Sequence, residues 1–256
     1  MTPDRTASDE AGSAQADGLS YARLRRLLVA VGRPFDVRPL AEAFEPANNR
    51  PVLVLRHDVD VSLDAALRLA ELEADLGVRA SFLVMLDWPL YDVRALEGRR
   101  VLRRLRELGH DVGLHVDPRT PTAANDATLA VARDRLAVAT GAVVRSLSFH
   151  RPTPACLHGE TKIAGMVNAY GRPLMRCYLS DSRGRFEVGD PARALMGATG
   201  AVRQLLLHPI WWGERHLQPR DRLRELVGIR RAELGAAGAQ RFAEKLAAAL
   251  PAVSLA

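Results

Sequence analysis

Pro51-Val52-Leu53-Val54-Leu55-Arg56-His57-Asp58-Val59-Asp60 runs from an unbroken apolar stretch into an imidazole and two carboxylates. The apolar part reads as a buried strand, Val52 to Leu55. Asp and His at the end of such a strand need a partner, a proton or a metal. The residues that follow, Leu63, Ala66, Leu67, Ala70 and Ala74, recur at helical spacing. The polar cluster therefore sits where a strand hands over to a helix. In α/β folds that is the end of the sheet or barrel at which ligands bind.

The strand–helix pattern repeats downstream. Strands are expected over Arg79 to Met85, Asp111 to Val116, Val143 to Phe149 and Val202 to Leu207, with a further one over Leu174 to Leu179. Helices are expected over Ser62 to Leu76, Val93 to Leu108 and around Leu129 to Ala139, each closed by Gly77, Gly109 or Gly141. A helix over Tyr21 to Val31 precedes the first strand, with residues 32 to 50 as connection. One or two helices fill residues 220 to 250, opened by Pro219. This alternation predicts parallel β/α units.

Composition excludes several classes. The chain has 256 residues, 48% hydrophobic and 26% charged, as expected for one large globular domain over residues 20–256. Residues 1–19 are small and polar and are expected to be disordered. They lack the apolar core of a signal peptide, and no apolar run approaches a membrane span, so a cytoplasmic location is expected. Cys156 and Cys177 are too few for a disulfide framework. The net charge of +6 comes from arginines mixed with acidic residues. No basic stripe or nucleic-acid motif accompanies it, so nucleic acid is not an expected partner. The surplus charge favours, at most, an anionic substrate.

Four expected strands end in chemistry. The first ends at His57, Asp58 and Asp60, the third carries His115 and then Asp117, the fourth ends at His150 and Arg151, and the late one ends at His208. A single histidine of this kind is most often a hydrogen-bonded core residue. Four strands presenting His or Asp at one end of a parallel barrel converge on one mouth. Carboxylate plus imidazole suits Zn²⁺ or a similar divalent ion. Asp58 and Asp60 are read as turning in different directions, one to hold metal and one to face the reacting water. A later histidine can protonate the leaving group. The combination suggests metal-assisted hydrolysis.

These residues resemble the polysaccharide deacetylases, carbohydrate esterase family four with its NodB-type homology domain. The likeness covers Pro51 to Trp212. It implies a distorted (β/α) barrel of about seven parallel strands, TIM-barrel-like, a divalent metal, usually zinc, and removal of acetyl groups from N-acetylated sugars. Asp58-Val59-Asp60 resembles an atypical form of the family's aspartate pair and implies Asp58 as base and Asp60 as metal ligand. Gly109-His110-Asp111-Val112-Gly113-Leu114-His115 resembles the second motif, with His115 on the metal and His110 structural. Phe149-His150-Arg151-Pro152 resembles the third, whose arginine orients the base. Leu207-His208 resembles the last, whose histidine is the general acid. Val167-Asn168-Ala169-Tyr170 and Tyr178-Leu179-Ser180-Asp181-Ser182 also resemble the atypical branch, without assigned roles.

The chain departs from the pattern at Arg119, where the family has its second metal histidine. His150 is the preferred replacement ligand, with Asp117 and His57 as alternatives. Arg56 and His57 are expected to support the site. Trp211 and Trp212 are expected to pack or to wall the substrate. The expected substrate is an acetylated amino sugar, free or linked to a nucleotide, lipid or natural-product intermediate. Two alternatives stay open: hydrolysis of another C–N bond such as a cyclic amide, and an inactive sugar-binding barrel.

Overall fold

The computed structural model describes residues 18–46 and 49–251. One nine-stranded sheet organises them. Its strands are β1 (Asp36–Pro39), β2 (Val52–Val59), β3 (Ser81–Met85), β4 (Asp111–Val116), β5 (Ser146–Phe149), β6 (Lys162–Ile163), β7 (Met166–Asn168), β8 (Tyr178–Ser180) and β9 (Val202–Leu207). The hydrogen-bonded order is β6-β7-β5-β4-β3-β2-β9-β8, with β1 on β2. Every pairing is parallel except β6 with β7. Among the described residues no ladder joins β8 to β6 or β7, so the sheet is a distorted (β/α) barrel left open at one seam.

β2 is the central strand. It pairs with β9 along Val52 to His57 and, on its other edge, with β1 and then β3. All eight of its residues are buried, which explains the unbroken apolar run at its start. The strand continues through Asp58 and Val59, beyond the expected Leu55, because its polar residues find partners inside the barrel. β1 lies in a segment expected to be connection. Its sequence, Asp-Val-Arg-Pro, is too short and polar to announce a strand, and its pairing with β2 decides it.

Helices cover the sheet: α1 (Tyr21–Gly32), α2 (Leu63–Asp75), α3 (Leu96–Glu107), α4 (Asp126–Thr140), α5 (Pro191–Gly197) and α6 (Pro219–Ala249). Ser62 caps α2 by accepting the Ala65 N–H, and Asn125 and Thr128 form a capping box at α4. α6 is one element broken at Gly235, whose φ of 70° and ψ of 178° interrupt the helical path. Among the described residues no helix is long and apolar enough to cross a membrane. Of the expected disordered tail, residues 1–17 lie outside the described residues. Leu19 belongs to the core, 3% exposed, and its N–H donates to His216 Nδ1.

Gly113 on β4 has a packing reason. A Cβ there would lie 2.1 Å from Ser146 Oγ, 2.2 Å from Leu83 Cδ2 and 2.8 Å from the Ser146 carbonyl. Its neighbours are strands on either side, which cannot withdraw. Gly113→Ala is therefore expected to destabilise the fold by about 1–3 kcal/mol, read as a lower urea midpoint with unchanged slope. An unchanged midpoint would show the contact to be soft.

Candidate active site

Parallel strands deliver their ends to one face, and the register sets the heights. Met85, His115 and Ser148 are level on β3, β4 and β5. His150 follows β5, His208 follows β9 and Asp181 follows β8. Asp58, Asp60, His115, His150 and His208 all line one cavity of about 540 Å³. Its walls are Phe149, Leu157, Tyr170, Met175, Tyr178 and Trp211.

Asp60, His115 and His150 are buried, with ligand atoms within 4.8 Å of one another. His115 Nε2 lies 3.1 Å and His150 Nδ1 3.0 Å from the same oxygen, Asp60 Oδ1. On the far side of His115, Nδ1 is 2.6 Å from Ser148 Oγ. Ser148 donates its hydroxyl to Asp58 Oδ1 at 3.0 Å, so His115 Nδ1–H must be the donor to Ser148. In neutral His115 that leaves the Nε2 lone pair facing a carboxylate, an arrangement that calls for a cation between them. His150 Nε2 is buried without a hydrogen-bond partner among the described residues. The donor set, one carboxylate and two imidazoles with one imidazole oriented from behind, fits a divalent metal such as Zn²⁺. Burial pushes the Asp60 carboxyl up, but contacts to His115 and His150 outweigh it and hold the group well below the usual carboxylate range.

Asp58 is gripped by Arg56. Nη1 donates to Oδ1 at 2.8 Å and to Oδ2 at 3.0 Å, and the arginine has no exposed surface. The remaining guanidinium faces the Tyr170 ring at 4.9 Å and the Tyr178 ring at 6.0 Å. Burial works against the Arg56 charge, but Asp58 together with Tyr170 and Tyr178 outweighs it and raises its pKa. Asp58 and Asp60 do not face opposite ways. β2 runs to Val59, and residues two apart on a strand share a face, so Arg56, Asp58 and Asp60 all turn inward.

Arg151, expected to orient the base, is exposed at the cavity mouth. The guanidinium on Asp58 belongs to Arg56. The two alternative metal ligands lie elsewhere. Asp117 takes the Arg119 guanidinium, which accounts for both residues. His57 is on the opposite face of the sheet, stacked on Phe82, with Nε2 2.8 Å from Glu73 Oε1. His110 is structural: Nδ1 accepts the Ala80 N–H and Nε2 donates to the Ala70 carbonyl, tying α2 to β3.

Asp181 is the residue the sequence left without a role. It receives the His208 backbone N–H at 2.9 Å, His208 Nδ1 at 2.7 Å and Trp212 Nε1 at 2.7 Å. His208 therefore keeps Nε2 for the cavity, 3.8 Å from Asp60 Oδ2. Burial pulls its pKa down, but the Asp181 hydrogen bond and the charges of Asp181, Asp60 and Asp58 raise it to about 9. Trp212 is thus a buried anchor and Trp211 a cavity wall. Asn168 shapes the turn to Tyr170, accepting the Tyr170 N–H and donating to the Glu160 carbonyl.

No family model and no curated protein matches the chain. Among solved structures it is similar to a CE4 family pseudoenzyme from Bacillus anthracis, at 15% identity and a TM-score of 0.40 over 64% of this chain and 56% of that one. A mutant of that pseudoenzyme with restored enzymatic activity gives 14% identity and a TM-score of 0.38 over 64% and 58%. The chain thus spans little more than half the length of either structure. So slight a likeness leaves the function to the site's own chemistry.

The donor set predicts one divalent ion per chain after loading with Zn²⁺ and dialysis. His115→Ala and His150→Ala each should weaken retention by more than the roughly 10–100-fold lost with an outer-sphere partner, measured by chelator competition. Full retention in either variant would remove that histidine from the ligand set.

Proposed function

We propose that the chain is a metal-dependent hydrolase that removes an N-acetyl group from an amino sugar or a sugar-containing small molecule. The observation that carries this reading is the meeting of three features at one mouth. A metal-type donor set, a carboxylate clamped by a buried arginine and a carboxylate-backed histidine all face the same cavity. That is the set of groups needed to hydrolyse an amide: electrophile, base and acid. The cavity volume of about 540 Å³ suits a ligand of one or two sugar rings, and aromatic walls suit ring faces.

Asp60, His115 and His150 would hold a divalent ion such as Zn²⁺, which would supply Lewis acidity to the scissile carbonyl. Asp58 takes the proton of the attacking water at Oδ2, since Oδ1 already accepts the Ser148 hydroxyl. Arg56 fixes the plane of that carboxylate with two hydrogen bonds from one nitrogen. On the other side, His208 Nε2 delivers a proton to the departing amine. Asp181 holds Nδ1 and thereby the tautomer, the ring orientation and the charged form. Tyr170 and Trp211 line the cavity beside these groups as apolar wall. The expected assignment of Asp58 as base and His208 as acid is carried forward on these contacts, with Arg56 as the positioning arginine.

Asp58→Asn keeps the size and most hydrogen bonds but cannot accept a proton. Turnover of an N-acetylhexosamine is expected to fall by about 10²–10⁴-fold with metal content unchanged. Normal turnover in this variant would end the base assignment. Asp181→Asn tests the acid. His208 must be protonated to act, so activity persists below its pKa of about 9 and is lost as pH rises through it. Removing the Asp181 charge lowers that pKa, so the alkaline limb of kcat/KM should move to lower pH. A limb that stays in place would mean another group protonates the amine.

A further inference from the structure

Every carboxylate at the floor of the cavity faces a cation or an imidazole. Asp58 has Arg56, Asp181 has His208, and Asp60 has His115 and His150. The mouth is different. Arg151 and Arg183 both line the cavity and both are exposed. Neither guanidinium has a hydrogen bond, ion pair or ring contact with a described residue. Some arginines elsewhere around the barrel are engaged, Arg79 with Glu42, Arg106 with the Thr140 carbonyl and Arg119 with Asp117, and others on the outer surface are not. What sets Arg151 and Arg183 apart is that both line the cavity that holds Asp58 and His208.

The two mouth arginines share a second feature. Arg151 has φ 49° and Arg183 has φ 62°, in the left-handed region that a side chain with a Cβ disfavours. Arg183 stands in the one-turn helix Ser182–Gly184, directly after Asp181, and Arg151 directly after His150. Arg151 thus adjoins His150 and Arg183 lies two residues beyond Asp181, so both are carried by the strand ends that supply the cavity floor. Two charges without a partner among the described residues, at the rim of a partly enclosed cleft, focus their field into it. Their forked donors match tetrahedral oxyanions.

We propose that Arg151 and Arg183 clamp an anionic oxyanion substituent of the substrate, phosphate in the first place, while the rest of the molecule reaches Asp58 and His208. The substrate class becomes a phosphorylated or nucleotide-linked amino sugar in place of a neutral one. The sugar part of this statement rests on the deacetylase reading; the anion site does not. Binding energy gathered at the rim would orient an amide held deeper in the cavity.

Glucose and glucose 1-phosphate, which carry no amide and cannot turn over, test the clamp by calorimetry on the Zn²⁺-loaded full chain at low ionic strength. The phosphate should bind at least about tenfold more tightly. The preference should vanish in the Arg151→Ala/Arg183→Ala double variant and shrink in high salt. Equal affinities in the native chain would overturn the proposal. So would a preference that survives in the double variant, because the phosphate would then sit on the metal. Acetate release from N-acetylglucosamine 1-phosphate separates the two readings. A phosphate preference without acetate release ends the deacetylase reading and leaves the clamp. Acetate release without the preference does the reverse.

Discussion

A guanidinium with no exposed surface lies in the middle of the curled sheet, and the surrounding architecture answers to it. Arg56 enters from β2, the central strand, and its charge is met by Asp58 two residues on. Removing one partner of such a buried pair costs about 3–5 kcal/mol. Its open face is covered by Tyr170, just beyond β7, and by Tyr178 on β8. Those two tyrosines come from opposite sides of the seam where the barrel fails to close. Gln204 of β9 works at the same seam, donating to the Ala169 carbonyl at 3.0 Å. Side chains thus bridge what backbone ladders leave open, and the gap gives the cavity its aromatic wall.

From that ion pair a hydrogen-bonded chain runs across the floor. Arg56 holds Asp58, Asp58 accepts Ser148, Ser148 accepts His115, and His115 faces Asp60 beside His150. A second, shorter chain runs from Trp212 through Asp181 to His208. In His115 and His208 one ring nitrogen is committed to the protein and the other is turned to the cavity. The histidines on the other side of the sheet are used up differently. His57 meets Glu73, and His110 has both nitrogens on backbone groups. The face on which a histidine lands, more than its residue type, divides chemistry from support.

Much of this was legible in the residues. Apolar runs that end in Asp or His marked β2, β4, β5 and β9, and the glycines closing the helices marked the β/α rhythm. Asp60, His115, His150 and His208 could be gathered at one mouth because parallel strands point the same way. The alternation along β2 was also available, and it places Arg56, Asp58 and Asp60 together. Arg151 drew attention from Arg56 because it follows His150 in a motif-like stretch, although it ends exposed. Asp181 stood in a polar segment with no apolar period to locate it, and its role depends on β8 pairing with β9.

The sequence by itself determined the parallel β/α character, the end of the sheet that carries chemistry and the residue types gathered there. Those follow from periodicity and strand direction, which are local properties of the chain. Only the tertiary structure decided which groups pair: Arg56 with Asp58, Asp181 with His208, Asp117 with Arg119. It also decided that, among the described residues, the barrel stays open and Arg151 and Arg183 flank the mouth without partners. Partner choice depends on distances of a few ångströms between side chains far apart in the chain, which no spacing within one segment encodes.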